Sequence, residues 1–148
     1  ELVGAKNAVL AIMASLILTE GVSVLMNVPN SCDVLQMIQL LKDLGAHVTY
    51  DLHKHRLEVD TTFLCKYTVS PAIMKKMRAS VLVMGPLLAR FGKADIAMPG
   101  GCLIGARPID IHLKNFEKMG VVLQQESEFL NAKADVLVPQ RLVLDYPS

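Results

Sequence analysis

Cys102 and Arg107 lie in one glycine-rich segment whose residue types suit proton-transfer or nucleophilic chemistry. The segment runs into Pro108, Ile109 and Asp110, a combination typical of the first turn of a helix. A guanidinium and a helix N-terminus both favour the thiolate form of a cysteine, and both can bind a phosphate. Cys102 is therefore a candidate catalytic thiol, although a loop cysteine without a role fits the local sequence as well. The residues after Arg107 can cap the helix, bind an anion or do both.

Lys6 and Arg78 are two further candidate cations. Lys6 and Asn7 begin a predicted helix, where a lysine opposes the positive end of the helix dipole. Such a local conflict with stability is a hint of function. Arg78 belongs to the basic cluster 75–78, for which a solvated helix face is the usual interpretation, so that its role stays open.

The other cysteines and the paired histidines give weaker signals. Cys32 and Cys65 are interpreted as small apolar fillers. His53 and His55 lie in a predicted turn, and no cysteine or carboxylate pair at ligand spacing accompanies them. We therefore expect neither a metal site nor a cofactor.

The composition excludes several classes of protein. Of the 148 residues, 52% are hydrophobic and 20% are charged, which indicates a globular chain with a large core. The net charge of +1 provides no global field that would attract nucleic acid or an anionic membrane. The apolar run from Ala8 to Leu18 is too short to cross a bilayer. Three dispersed cysteines fit a reducing compartment, so we expect a cytoplasmic protein.

Hydrophobic periodicity predicts two copies of one α/β unit. The first copy, about residues 1–60, is predicted to contain a buried helix at 6–18, a strand at 22–26, a helix at 33–44 and strands at 47–50 and 56–59. The second copy, about residues 66–133, is predicted to contain a helix at 71–89 broken near Gly85–Pro86, a strand at 94–98, a helix at 108–119 and strands at 121–125 and 129–132. Residues 136–148, with a strand at 142–144, are predicted to begin a third copy.

The two copies differ in the segment that contains Cys102. Between its strand and its second helix, the second copy has five more residues than the first. What one copy adds to a shared scaffold is a good candidate for function. Because the sequence lacks an initiator Met and stops within the third copy, we expect a piece of a longer protein.

Four motifs, in this order along the chain, make the sequence resemble a known family. They are Gly4–Ala8 (GAKNA), Met77–Ser80 (MRAS), Gly85–Gly92 (GPLLARFG) and Pro99–Asp110 (PGGCLIGARPID). Together they closely resemble the UDP-N-acetylglucosamine enolpyruvyltransferase family, and the resemblance runs from Gly4 to Ser148. It implies an α/β (α+β) fold of two similar domains, each with three β-α-β-α-β-β units around buried helices, an inside-out α/β barrel. This chain would supply two units and one strand of a catalytic domain.

The resemblance also implies a reaction and roles for residues. The enolpyruvyl group of phosphoenolpyruvate moves to the 3′-hydroxyl of UDP-N-acetylglucosamine with release of phosphate, the first committed step of peptidoglycan synthesis. Cys102 corresponds to the proton donor, which also forms an adduct with phosphoenolpyruvate and is alkylated by fosfomycin. Lys6 is the second expected catalytic residue, and with Asn7 it would contact both substrates. The remaining substrate-binding positions implied by the resemblance are Arg78, Arg107, Pro108, Ile109, Asp110, Ile111 and Ser148.

The implied active site has parts on both sides of a domain interface. The general base would lie in the second domain, which would be the partner of this chain, so we expect no turnover by the chain alone. We also expect the Cys102 thiol to lie within reach of the Lys6 ammonium. The alternatives are a shikimate-pathway enolpyruvyltransferase, an RNA 3′-terminal phosphate cyclase and a non-catalytic binding or regulatory paralogue. The Cys102 motif and the complete set of charged residues argue against them.

Overall fold

A computed structural model of the chain describes residues 4–76, 78–97, 109–126 and 129–143, without the side chains of 75, 76 and 78–80. The elements follow the predicted order of two α/β repeats. The first repeat contains α1 (Lys6–Ser15), a 3-10 turn (Leu16–Leu18), β1 (Val22–Leu25), α2 (Cys32–Asp43), β2 (His47–Asp51) and β3 (Arg56–Asp60). The second contains β4 (Thr68–Val69), α3 (Pro71–Lys76), a 3-10 segment (Arg78–Val83), α4 (Met84–Phe91), β5 (Lys93–Ala97), α5 (Asp110–Lys118), β6 (Val122–Glu126) and β7 (Phe129–Lys133).

Each repeat forms its own sheet, and three strands of the second sheet repeat the strand order of the first. The first sheet has the order β1-β3-β2 with antiparallel neighbours, and the second has β4-β5-β7-β6. In the second sheet, β5, β7 and β6 are antiparallel, whereas β4 joins β5 in parallel. Both β1 and β5 follow a glycine with positive φ, Gly21 and Gly92, so the repeats also correspond in their turns. β4 was not predicted, because two residues are too short to show a periodic pattern.

The apolar core lies between the helices and the inner faces of the sheets. On α2, the predicted spacing is confirmed, since Val34, Met37, Ile38 and Leu41 are all buried. On α1, the prediction of burial on nearly all sides is wrong. One face is buried, whereas Ile12 remains 47% exposed.

The predicted break at Gly85–Pro86 is also wrong. The chain changes from α-helical to 3-10 geometry in the segment Arg78–Val83, and Gly85 and Pro86 lie in the first turn of α4. The backbone N–H groups of a first turn have no acceptor within the helix, so a proline there costs no hydrogen bond. The Gly-Pro pair therefore begins a helix instead of interrupting one.

The predicted strand of a third copy is not observed. Leu142 and Val143 have no regular secondary structure, and Leu144 lies outside the described residues. A strand persists only when a neighbouring strand satisfies its backbone groups, and a pattern of three apolar residues does not provide that neighbour. Among the described residues, no helix combines the length and the apolar composition that crossing a lipid bilayer requires.

Arg90, in the last turn of α4, joins the second repeat to the first. Its guanidinium donates hydrogen bonds to the backbone carbonyls of Ile17 at 3.0 Å, Thr19 at 2.8 Å and Thr61 at 3.0 Å. A planar guanidinium with several donors suits such a convergent set of acceptors. The two repeats are thus connected by polar contacts as well as by the core.

Candidate functional site

A close backbone contact positions the N-terminus of α1, where Lys6 and Asn7 lie. The N–H of Gly4 donates to the carbonyl oxygen of Asn27 at 3.1 Å. A Cβ at position 4 would stand only 2.5 Å from that same oxygen. Glycine is therefore required for the chain to approach α1 along this path, and both Lys6 and Asn7 begin the helix exposed to solvent.

The loop between β1 and α2 is held by the turn between β2 and β3. Asn27 opens the loop with φ of +60°, and the N–H of Val28 donates to the carbonyl of His55 at 2.9 Å. The carbonyl of Val28 accepts from the Tyr50 hydroxyl at 2.9 Å and lies 3.1 Å from Nδ1 of His55. Burial raises the pKa of Tyr50 above its ordinary value, so the hydroxyl stays protonated as a donor at neutral pH. These contacts fix where α2 begins.

At the start of α2, Asp33 makes an ion pair with Lys6. The Ser31 hydroxyl caps the helix by accepting from the N–H of Val34 at 3.3 Å. Oδ2 of Asp33 lies 2.6 Å from Nζ of Lys6, although the two residues belong to different helices. An acidic residue is favoured in the first turn of α2, whereas a lysine is disfavoured in the first turn of α1. The ion pair therefore offsets the unfavourable placement that drew attention to Lys6 in the sequence.

The Lys6 side chain keeps access to solvent in this arrangement. The side chain of Lys6 is 49% exposed and that of Asp33 is 35% exposed. An ammonium has three N–H donors, and one partner at this distance leaves others for a bound anion. Asp33 is not among the residues predicted from the sequence, because an acid in the first turn of a helix is common and is by itself unspecific.

The other predicted site residues are placed only in part. The backbone of Arg78 begins the 3-10 segment that contacts α1, and its side chain is not among those described. Ile109 precedes α5 and is half-buried, while Asp110 and Ile111 form its first turn. Outside the described residues lie Cys102, Arg107, Pro108 and Ser148. The expected proximity of the Cys102 thiol to the Lys6 ammonium therefore stays a prediction.

The interpretation of Cys32 and Cys65 as apolar fillers is wrong. Both thiols belong to exposed residues. Cys32 is the first residue of α2, and its sulfur accepts from Nε2 of Gln36 at 3.3 Å. The first turn of α2 points its opening residue away from the core, which the short helical pattern did not reveal.

Residues 1–145 match the family model of EPSP synthase (3-phosphoshikimate 1-carboxyvinyltransferase). The chain belongs to the EPSP synthase family. A curated relative in this family, a UDP-N-acetylglucosamine 1-carboxyvinyltransferase of Thermodesulfovibrio yellowstonii (strain ATCC 51303 / DSM 11347 / YP87), is 40% identical over 145 residues. The match covers 98% of this chain and 34% of the relative, so the chain spans about a third of that protein's length.

Two solved structures share the fold of this chain. The enolpyruvyl transferase NikO from Streptomyces tendae superposes with a TM-score of 0.80, covering 93% of this chain and 30% of that one. An EPSP synthase from Acinetobacter baumannii has a TM-score of 0.67 and covers 99% and 34%, respectively. At 17% identity in both cases, these likenesses concern the fold. They confirm the expectation of an enolpyruvyltransferase fold, and the family is one of transferase enzymes.

Proposed function

We propose that this chain is part of the catalytic domain of an enzyme that transfers the enolpyruvyl group of phosphoenolpyruvate to the 3′-hydroxyl of UDP-N-acetylglucosamine. The observation that carries the proposal is the 40% identity, over 98% of the chain, to a relative with that name. The Lys6 ammonium, partly exposed at the start of α1, supports it as a group able to face an anionic substrate. In the cell the reaction would open peptidoglycan synthesis.

In this proposal the two repeats, about 1–60 and 66–133, are two of the three units of one domain, and 136–148 begin the third. The partial burial of α5 supports the proposal that the domain is incomplete. Leu113 and Phe116 on α5 are half-buried, whereas the corresponding Ile38 and Leu41 on α2 are buried. A third unit and a second domain would complete the enzyme.

The chemistry has two stages that require opposite proton movements. In the addition, the sugar hydroxyl loses its proton as its oxygen bonds to C2 of phosphoenolpyruvate, while C3 gains a proton and becomes a methyl group. In the elimination, C3 gives up a proton, the double bond re-forms and phosphate leaves. A positioned acid and base accelerate such steps, and fixed cations stabilise the carboxylate and phosphate throughout.

The residues of this chain would divide these tasks. Cys102 would supply the proton to C3, and Lys6 with Asn7 would contact phosphoenolpyruvate and the sugar nucleotide. Cations at Arg78 and Arg107 would hold phosphate groups. The positions that would line the UDP-sugar are Pro108, Ile109, Asp110, Ile111 and Ser148.

A second candidate acceptor is shikimate 3-phosphate, because the matching family model carries the name of the enzyme that uses it. The experiment is a phosphate-release assay on the full-length enzyme with phosphoenolpyruvate and each acceptor in turn. We expect release with UDP-N-acetylglucosamine only. Release with shikimate 3-phosphate alone would identify the second candidate, and release with neither would overturn both.

Mass spectrometry of the same enzyme with fosfomycin tests the role of Cys102. We expect an adduct on Cys102 that forms faster when UDP-N-acetylglucosamine is present, and no adduct on the exposed Cys32 or Cys65. Cys102→Ser should abolish both the adduct and phosphate release, whereas the control Cys65→Ser should change neither. An adduct on Cys32 or Cys65 instead would contradict the assigned role.

A further inference from the structure

We propose that Asp33 is a positioning residue that holds the Lys6 ammonium in place for the anion of phosphoenolpyruvate. The inference rests on the proposed function and extends it to a residue that no motif of the family resemblance contains. Its starting point is the distance of 2.6 Å between Oδ2 of Asp33 and Nζ of Lys6.

Lys6 needs such a partner because of where it lies. Its charge stands at the positive end of α1 and faces the N-terminal end of α2, and both helix dipoles repel it. A lysine side chain is also a flexible stem with many rotamers. The Asp33 carboxylate supplies the opposite charge and restricts the stem to one direction before a substrate arrives, which reduces the ordering cost of binding.

Asp33 is itself held firmly enough for this role. The Ser31 hydroxyl caps the helix that carries it, and the preceding loop is fixed at Val28 by Tyr50 and His55. The helix dipole of α2 favours its charge. Since the Lys6 side chain remains 49% exposed, the ion pair leaves it accessible to an anion. Asp33 would thus act through Lys6 and would not touch the substrate.

The first test compares two carboxylates of α2 in the full-length enzyme. Asp33→Asn should lower kcat/KM for phosphoenolpyruvate roughly tenfold, because a charge-assisted contact is lost. Asp33→Glu keeps the carboxylate and should therefore retain most of the wild-type kcat/KM. The matched control is Asp43→Asn, which removes an exposed carboxylate that accepts from Gln39 at the other end of the helix, and it should leave kcat/KM unchanged. Equal kinetics for Asp33→Asn and Asp43→Asn would overturn the proposal.

A contribution of Asp33 to helix stability alone predicts a different pattern. It would lower Tm and leave kcat/KM unchanged at temperatures where the enzyme is folded. Asp33→Ser provides a second variant, since serine is well tolerated at a helix start and carries no charge. It should reproduce the kinetic loss of Asp33→Asn with a smaller change in Tm. Normal kinetics in Asp33→Ser would also overturn the proposal.

Trace labelling of amines with acetic anhydride tests the ion pair without any need for turnover. In the full-length enzyme, mass spectrometry gives the labelling of Lys6 relative to Lys42, an exposed lysine in the last turn of α2. Asp33→Asn should raise this ratio several-fold, and an unchanged ratio would show that no ion pair restrains Lys6.

If the wild-type enzyme releases no phosphate, the proposed function fails. If it does and Asp33→Asn behaves as wild type, only the role of Asp33 fails.

Discussion

Two single residues, Gly4 and Asp33, decide where the Lys6 ammonium lies. Lys6 is placed by Gly4, which allows a backbone contact with Asn27, and by Asp33, which binds the ammonium. The position of Lys6 at a helix start was readable from the sequence, because a lysine there conflicts with the helix dipole. Its partner was not readable, since nothing in the local pattern around Asp33 indicates that α1 and α2 begin side by side.

At the residue scale, we predict that Gly4→Ala destabilises the protein by about 1–3 kcal/mol, because a Cβ 2.5 Å from the Asn27 carbonyl forces the backbone to shift. The matched control is Gly85→Ala in α4, where a Cβ would meet Phe116 at an ordinary 3.5 Å and where alanine favours the helix. Thermal denaturation checks both. Equal Tm changes for the two variants would contradict the role of Gly4.

A second residue-scale prediction concerns the pKa of Asp60. Hydrogen bonds from the Thr62 side chain and then from its backbone N–H lower this pKa below the ordinary value of 3.8, and the charge of His47 adds to the effect. Because the pKa is lower in the folded state, Asp60 contributes stability above about pH 4 and loses it as the pH falls through the folded pKa.

Thr62→Val removes the first of these hydrogen bonds, so we expect the Asp60 pKa to rise towards its ordinary value in an NMR titration. Asp51 is the internal control. Its pKa is lowered mainly by the backbone N–H of Lys54 and should not change in the variant. A rise at both carboxylates, or at neither, would disprove the assignment.

At the scale of elements, the order of helices and strands was predictable because each repeat carries the same strong signals. Four glycines with positive φ mark corresponding positions in the two repeats. Gly21 and Gly92 lie just before β1 and β5, and Gly45 and Gly120 follow α2 and α5. The change of geometry after α3 was not predictable, because Lys75, Lys76 and Arg78 are good helix formers that favour a continuous α-helix. The short strand β4 was not predicted, because its two residues form a strand only by pairing with β5, which is distant in the sequence.

The contact between the repeats yields an element-scale prediction. Arg90→Lys should destabilise the protein by about 2 kcal/mol, because a lysine cannot donate to all three carbonyls of Ile17, Thr19 and Thr61 in the same planar geometry. The matched control, Arg56→Lys, changes a surface ion pair with Glu58 and should cost less than about 1 kcal/mol. Urea denaturation measures both, and similar losses would argue against a special role for Arg90.

At the scale of the whole molecule, the proposed site would combine parts from both repeats. The first repeat would supply Lys6 and Asn7, and the second would supply Cys102 and Arg107 from the segment that it alone contains. Motifs with specific residues made the family recognisable from the sequence, and the family match agrees. The geometry between the repeats could not be predicted in the same way, because the distance between a helix end and a long loop depends on packing that no local pattern encodes.

Cross-linking of Lys6 to Cys102 tests the central claim most directly. In the full-length enzyme with Cys32→Ser and Cys65→Ser, Cys102 is the only thiol within these 148 residues. A short reagent that joins an amine to a thiol is added with and without UDP-N-acetylglucosamine, and the joined peptides are identified by mass spectrometry. We predict a Lys6–Cys102 product that increases with the sugar nucleotide. Cross-links from Cys102 to other lysines, with none to Lys6 under either condition, would contradict a shared site.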